Sequence, residues 1–237
     1  MIPNISTQRL GEGALRAQAH WQARQQTEAE SKAGGGLTPA AFTIALSREA
    51  GAQGTAVATK LGERLGWPVY DHELLRHIAN EMGLSTRLLE SVDEKRASWL
   101  TTYLQSFAAT NAVTEGAYLY NLSKLVLSLA AHGECVIVGR GVAHFLPPEK
   151  TLRVRLVAPL AHRIDVMQKS SGLGRAEAAR RVESTDRDRA NFIRDHFHKD
   201  PADPANYDLV LNTARFSIED CAEQIEHALR RFQARIS

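Results

Sequence analysis

The chain has 237 residues, 43% of them hydrophobic and 24% charged, with a formal net charge of +2 and two cysteines. This balance describes a globular protein long enough for one sizeable core, and it excludes disordered, fibrous and disulfide-built classes. It gives no general case for nucleic acid or a membrane as partner, so any electrostatic function has to come from local clustering.

Residues from about Thr7 to Lys32 are polar and helix-prone, with Leu10, Leu15 and Trp21 as scattered apolar anchors. Ala33 and the glycines at 34–36 then break the pattern, so residues 1–40 read as an arm on a Gly-rich joint. Such an arm docks on a partner subunit, giving a homo-oligomer, or on its own body, or stays a frayed tail. Residues 41–237 form the main domain. Cys135 and Cys221 lie in apolar segments without metal-like spacing, which reads as buried thiols in a reducing compartment. With no bilayer-length apolar run and no hydrophobic signal core, the expected location is cytoplasmic.

The main domain opens on a short apolar run, Phe42 to Leu46, which predicts a buried strand. Gly51 and Gly54 follow in a turn, and a helix starts near Thr55. A strand, a glycine-containing turn and a helix N-terminus are the layout of a phosphate-binding loop. In the G-x-x-x-x-G-K-[ST] pattern the backbone cradles the phosphates, the Lys reaches the transferred group and the hydroxyl meets magnesium. With Thr55 as that hydroxyl, Arg48 stands at the first Gly, Gln53 at the second, and Gly54 at the Lys. An ordinary strand-to-helix connection is the alternative.

Asp71 follows a second predicted strand, where its carboxylate faces a ligand crevice, caps the helix beginning at His72, or does both. A helical block from about Leu84 to His132 is inserted next. Its aromatics, Tyr103 and Tyr118 among them, read first as packing and second as substrate contacts. Cys135–Val138, Leu152–Val157 and Tyr207–Asn212 supply further strands, and strands alternating with helices imply a parallel sheet covered on both faces. Arg140, between Gly139 and Gly141, is either aimed at an anionic substrate or a turn residue facing solvent. In the charged run after Gly174, Arg180, Arg187 and Arg194 recur at sevens and share a helical stripe. That stripe is either a solvated face or a lid that brings guanidinium groups onto phosphates. His196 and His198 are spaced wrongly for a metal pair. Ser217 to Asp220 resembles a capping box opening the last helix.

Taken together, Ser47-Arg-Glu49 with Gly51 to Thr55, Tyr70-Asp71, Val138-Gly-Arg-Gly141, Thr185-Asp-Arg-Asp-Arg189 and Tyr207 to Asn212 resemble the cytidylate kinase-like family, a branch of the P-loop nucleoside monophosphate kinases. The resemblance covers about residues 42–235. It implies a three-layer α/β/α P-loop NTPase fold with a central parallel sheet, a helical NMP-binding insert at about 84–132 and an Arg-rich lid at about 172–200. It also implies transfer of the γ-phosphoryl of ATP, with Mg2+, to CMP, dCMP or a related acceptor. The ATP site it implies is Ser47, Gly51, Ala52, Gln53, Gly54 and Thr55, with Thr55 on the metal and Glu49 or Asp71 on its waters. Asp71, Arg76, Arg140, Asp188 and Arg194 would bind the acceptor, and Arg48, Arg187 and Arg189 would stabilise the transferred charge, Arg48 replacing the loop Lys. The departures at Gly54, Val138 and Gly141 keep two other readings open. One is a nucleotide-binding regulatory module with impaired catalysis, and the other is a kinase of a non-nucleotide acceptor.

Overall fold

The structure is a computed structural model that describes residues 15–24, 26–27, 30, 42–75, 115–139 and 141–236. Two compact units emerge. One comprises Phe42–Val69 with Val136–Ser237, and the other takes in Tyr70–Cys135 with the described residues before Phe42. Arg76, Tyr103, Arg140 and most of the predicted insert lie outside the described residues.

Five strands, β1 (Thr43–Arg48), β2 (Val69–Tyr70), β3 (Cys135–Val138), β4 (Thr151–Val157) and β5 (Leu209–Asn212), form one sheet in the order β2-β3-β1-β4-β5. β1 and β4 pair in parallel with Ser47 opposite Arg155, and β4 and β5 pair in parallel with Val154 opposite Leu209. Parallel neighbours need crossover connections, which is why helices separate these strands in sequence. The helices are α1 (Gly54–Leu65), α2 (Glu115–His132), α3 (Val142–Phe145), α4 (Leu160–Ser171), α5 (Arg175–Phe197) and α6 (Ile218–Ile236).

Strand alternation sorts the side chains of the first unit onto two faces. Ile44 and Leu46 of β1, with Leu152, Val154 and Leu156 of β4, meet Val57, Ala58 and Leu61 of α1 and Cys221, Ala222, Ile225 and Leu229 of α6. Fully burying a Leu or Ile contributes about 2 kcal/mol, so this face carries most of the unit's stability. The intervening residues, Ser47, Arg153 and Arg155, are polar and turn to the other face, while α3 packs beside β1 and β4. That polar face carries the chemistry.

α1 ends on Gly66 in the left-handed conformation, whose N–H donates to the Gly62 carbonyl. The capping box of α6 forms as expected: Asp220 N–H donates to Ser217 Oγ at 3.0 Å, and Ser217 N–H donates to Asp220 Oδ2 at 3.0 Å. Cys135 and Cys221 are both buried.

In the other unit, residues 15–24 are helical. Trp21 is buried and donates from Nε1 to the Tyr70 hydroxyl at 3.1 Å, while Arg24 donates to the His132 carbonyl at 3.2 Å and pairs with Glu134 at 2.7 Å. Docking on the chain itself is therefore what these arm residues display.

Ser217→Ala removes one half of the α6 capping box. It should lower the unfolding free energy by about 1 kcal/mol, read as a shift of the urea midpoint at unchanged slope.

Candidate active site

β1 delivers the chain to the loop. Glu49 N–H extends the ladder to the Leu156 carbonyl at 3.1 Å, and Ala52 N–H closes the turn on the Glu49 carbonyl at 3.2 Å. Gly51 has φ 78°, and a Cβ there would collide with the Arg163 carbonyl, so only glycine fits the turn. Gln53 stands at the helix N-cap with φ 53° and supplies no side-chain cap, which leaves the first-turn N–H groups at Gly54, Thr55 and Ala56 directed into the loop. An uncapped helix start of this kind is receptive to anions. At Gly54 an added Cβ would lie 2.7 Å from Arg48 Cγ, so the stem of Arg48 covers the beginning of α1. The absence of a side chain at residue 54 and the presence of Arg48 are thus one arrangement.

The loop is held from behind by Arg163 of α4, a buried side chain that sequence reasoning did not single out. It donates to the Ala158 carbonyl at 2.8 Å and the Ala50 carbonyl at 3.2 Å, and it pairs with Glu49 at 3.2 Å and with Asp186 of α5. Asp186 Oδ1 accepts the Ala50 N–H at 2.7 Å, and Glu49 Oε2 accepts the Ala158 N–H at 3.0 Å. One guanidinium therefore ties the loop, the end of β4 and α5 together.

Glu49 and Asp71, the residues expected to hold the waters of a magnesium ion, both have protein partners here. Glu49 is committed to Arg163 and the Ala158 N–H. Asp71, in the other unit, acts as a helix cap: its Oδ1 accepts from Glu73 N–H at 3.1 Å and Leu74 N–H at 2.9 Å. Thr55 is exposed in the first turn of α1.

A cavity of about 160 Å³ opens on the polar face of the sheet, lined among others by Ser47, Arg48, Arg155, Asp186, Arg189 and Arg194. It is smaller than the few hundred Å³ of typical ligand pockets. On α5, at about 100° per residue, positions 186, 189, 190 and 193 share the arc that faces it. Buried Ala178, Val182 and Ile193 fix that arc. The stripe of Arg180, Arg187 and Arg194 lies to one side of it, so Arg187 and Asp188 are exposed and only Arg194 reaches the cavity rim. Arg194 pairs loosely with Asp200 at 3.6 Å, and Arg189 donates to the Arg48 carbonyl at 3.1 Å.

Of the predicted site residues, Ser47, Arg48, Arg189 and Arg194 meet at one cavity beside the loop of Gly51, Ala52, Gln53, Gly54 and Thr55. Arg187 and Asp188 do not line it, Asp71 belongs to the other unit, and Arg76 and Arg140 lie outside the described residues. Arg155 and Arg163 are additions. Arg155 had a legible signal, since Arg153 and Arg155 alternate with Leu152, Val154 and Leu156 and mark a polar sheet face. Arg163 had none, because its partners come from residues 49, 50 and 186.

The model of the cytidylate kinase-like family matches residues 43–215, a span that includes the loop, the cavity and α5. A cytidylate kinase of Methanopyrus kandleri is 27% identical over 177 residues, covering 74% of this chain and 86% of that protein. A uronate isomerase of Corynebacterium glutamicum is 24% identical over 158 residues, covering 64% of this chain but 30% of that protein. Among solved structures, an uncharacterized protein from Eubacterium ventriosum matches over 80% of this chain and 98% of its own, with a TM-score of 0.56 and 18% identity, a likeness of fold. The architecture is a five-stranded sheet with flanking helices, a three-layer α/β/α fold, and the family match gives it a nucleotide kinase-like function class.

Two outcomes check this geometry. Arg163→Leu strands Glu49 and Asp186 and should cost about 3 kcal/mol of stability in urea unfolding, with Asp186→Asn milder because Glu49 keeps its partner. For pH, burial first and then Lys199, Arg153 and Arg155 push His144 down from 6.5 to about 4. The unfolded chain therefore takes up the proton first, so this contribution to stability is complete above pH 6.5 and is lost as the pH falls toward 4. His20 is shifted the same way, so His144→Phe should make the acid limb shallower without abolishing it. An unchanged slope would refute the assignment to His144.

Proposed function

The chain belongs to the cytidylate kinase-like family, and from that premise we propose that it is an ATP-dependent phosphotransferase moving the γ-phosphoryl group of ATP to CMP, dCMP or a related acceptor. The observation that carries this reading is the gathering of Arg48, Arg189 and Arg194 around a small cavity next to an uncapped helix start.

In this mechanism Ser47 and the backbone of Gly51, Ala52, Gln53, Gly54 and Thr55 cradle the ATP phosphates, and the nucleosides lie outside the small cavity. The Thr55 hydroxyl is the chain's ligand for magnesium, which neutralises charge on the phosphate oxygens when bound. A monophosphate acceptor is already anionic, so the site needs positioning and charge stabilisation more than a general base. Arg48 takes the part of the missing loop Lys: its stem crosses residue 54, and its guanidinium belongs to the cavity wall. Arg189 and Arg194 approach from α5. Arg187 and Asp188 on its exposed flank would meet the part of a nucleotide outside the cavity, and the family pattern gives Asp71, Arg76 and Arg140 to the acceptor. The substrates of such a reaction are cytoplasmic, and among the described residues no helix is long and apolar enough to cross a membrane. The one observation favouring a binding module without catalysis is Gly54 itself.

The test is a thermal-shift and turnover screen of ATP with magnesium against CMP, dCMP, UMP and AMP. Turnover with a cytidine acceptor is expected, whereas stabilisation by ATP without turnover on any acceptor would establish the binding module instead. In the active enzyme Arg48→Ala should lower kcat by about 100-fold, and undiminished turnover would remove Arg48 from its role. Gly54→Lys should be inactive alone and partly active when combined with Arg48→Ala, because the two side chains contend for one space.

A further inference from the structure

We propose that Arg155 is a further phosphate-binding residue, a guanidinium mounted on β4 that forms the fixed floor of the anion site. The assignment rests on the kinase reading for which phosphate it meets, but not for the site itself. Arg155 occupies a central strand, directly opposite Ser47 in the β1–β4 register, and its side chain is 13% exposed. A guanidinium does not deprotonate, so burying it costs solvation that a partner has to replace.

The protein supplies little replacement. Nη1 donates to Ser47 Oγ at 3.4 Å and to the Tyr207 hydroxyl at 3.3 Å, both neutral acceptors at the long end of the hydrogen-bond range. The guanidinium carbon also stands 5.4 Å from the centre of the Tyr207 ring. Glu49 Oε1 stands 3.9 Å from Nη2, a long ion pair beyond hydrogen bonding, while its other oxygen, Oε2, is taken by Arg163 at 3.2 Å and the Ala158 N–H at 3.0 Å. The contrast with Arg153, two residues earlier on the same strand, is direct: Arg153 is matched by Asp208 at 2.8 Å.

Arg155 thus faces a cavity shared with Arg48, Arg189 and Arg194 while lacking a close carboxylate of its own. Four arginines line about 160 Å³ together with Glu49, Asp186 and Asp200, the first two bonded to Arg163 and the third to Arg194, and the arginines' planar forks favour a compact anion such as a phosphoryl group. The arginines of α5 sit on a helix, whereas Arg155 is fixed in the sheet, so it holds its phosphate in the same place whatever α5 does.

Calorimetric binding of pyrophosphate at fixed ionic strength tests the site without requiring turnover. Arg155→Met should weaken binding by at least tenfold and leave the melting temperature close to that of the parent. Arg155→Gln, which keeps a donor for Ser47 and Tyr207, serves if the Met variant does not fold, and Arg230→Met on α6 is the charge-matched control. In the kinase assay Arg155→Met should raise KM more than it lowers kcat, with the ATP or the CMP term rising according to which phosphate sits there. Failure of the wild type to bind pyrophosphate, or binding by a folded Arg155 variant within twofold of wild type, overturns the proposal even with turnover intact. Arg155-dependent binding in a protein that phosphorylates no acceptor would support the anion site and sink the kinase reading.

Discussion

The Arg163 guanidinium is the constraint on which the site depends. Its donors reach two backbone carbonyls and two carboxylates from three separate segments, so the conformation of residues 49–52, the end of β4 and the placement of α5 are set by one group. A charge buried this deeply is tolerable because its partners are charged or strongly polar and close. The same bonds explain why the loop keeps an open turn with Gly51 at positive φ. The carbonyl of Arg163 fills the place where a side chain would be.

From that anchor the electrostatics of the cavity follow. Arg163 engages Glu49 through Oε2 and Asp186 through Oδ2, two of the carboxylates that line the cavity. Arg155 and Arg194 then keep long contacts around a small space, and Arg189 donates to the Arg48 carbonyl there. Positive charge is concentrated by removing its counter-charges, in a chain whose net charge is only +2. The overall balance conceals a local excess. The loop lacks a Lys, yet the space above its helix start is filled by Arg48, which makes Gly54 a requirement of packing rather than a plain loss.

Much of the fold was legible because it rests on short-range chemistry. Ile44 and Leu46, Val136 and Val138, and Leu211 announced buried strands, and Ser217 with Asp220 announced the start of α6 three residues apart. Gly51 and Gly54 marked the loop correctly. The arc of α5 that faces the cavity was not legible, since the charged stripe of Arg180, Arg187 and Arg194 is the more conspicuous pattern and Ala178, Val182 and Ile193 are modest anchors. Burial of those three, about 100° per residue around the helix, selects Arg189 over Arg187.

The sequence by itself determined the alternation of strands and helices, the glycine turn after β1 and the family, because periodicity, turn chemistry and ordered motifs are local properties of the chain. Only the tertiary structure decided what each charge does. Glu49 and Asp186 brace Arg163, Asp71 caps a helix, and Arg155 stands on the sheet with long polar contacts. The reason is physical: the role of a charged side chain depends on which opposite charges stand within a few ångströms, and the partners of Arg163 come from positions more than 100 residues apart.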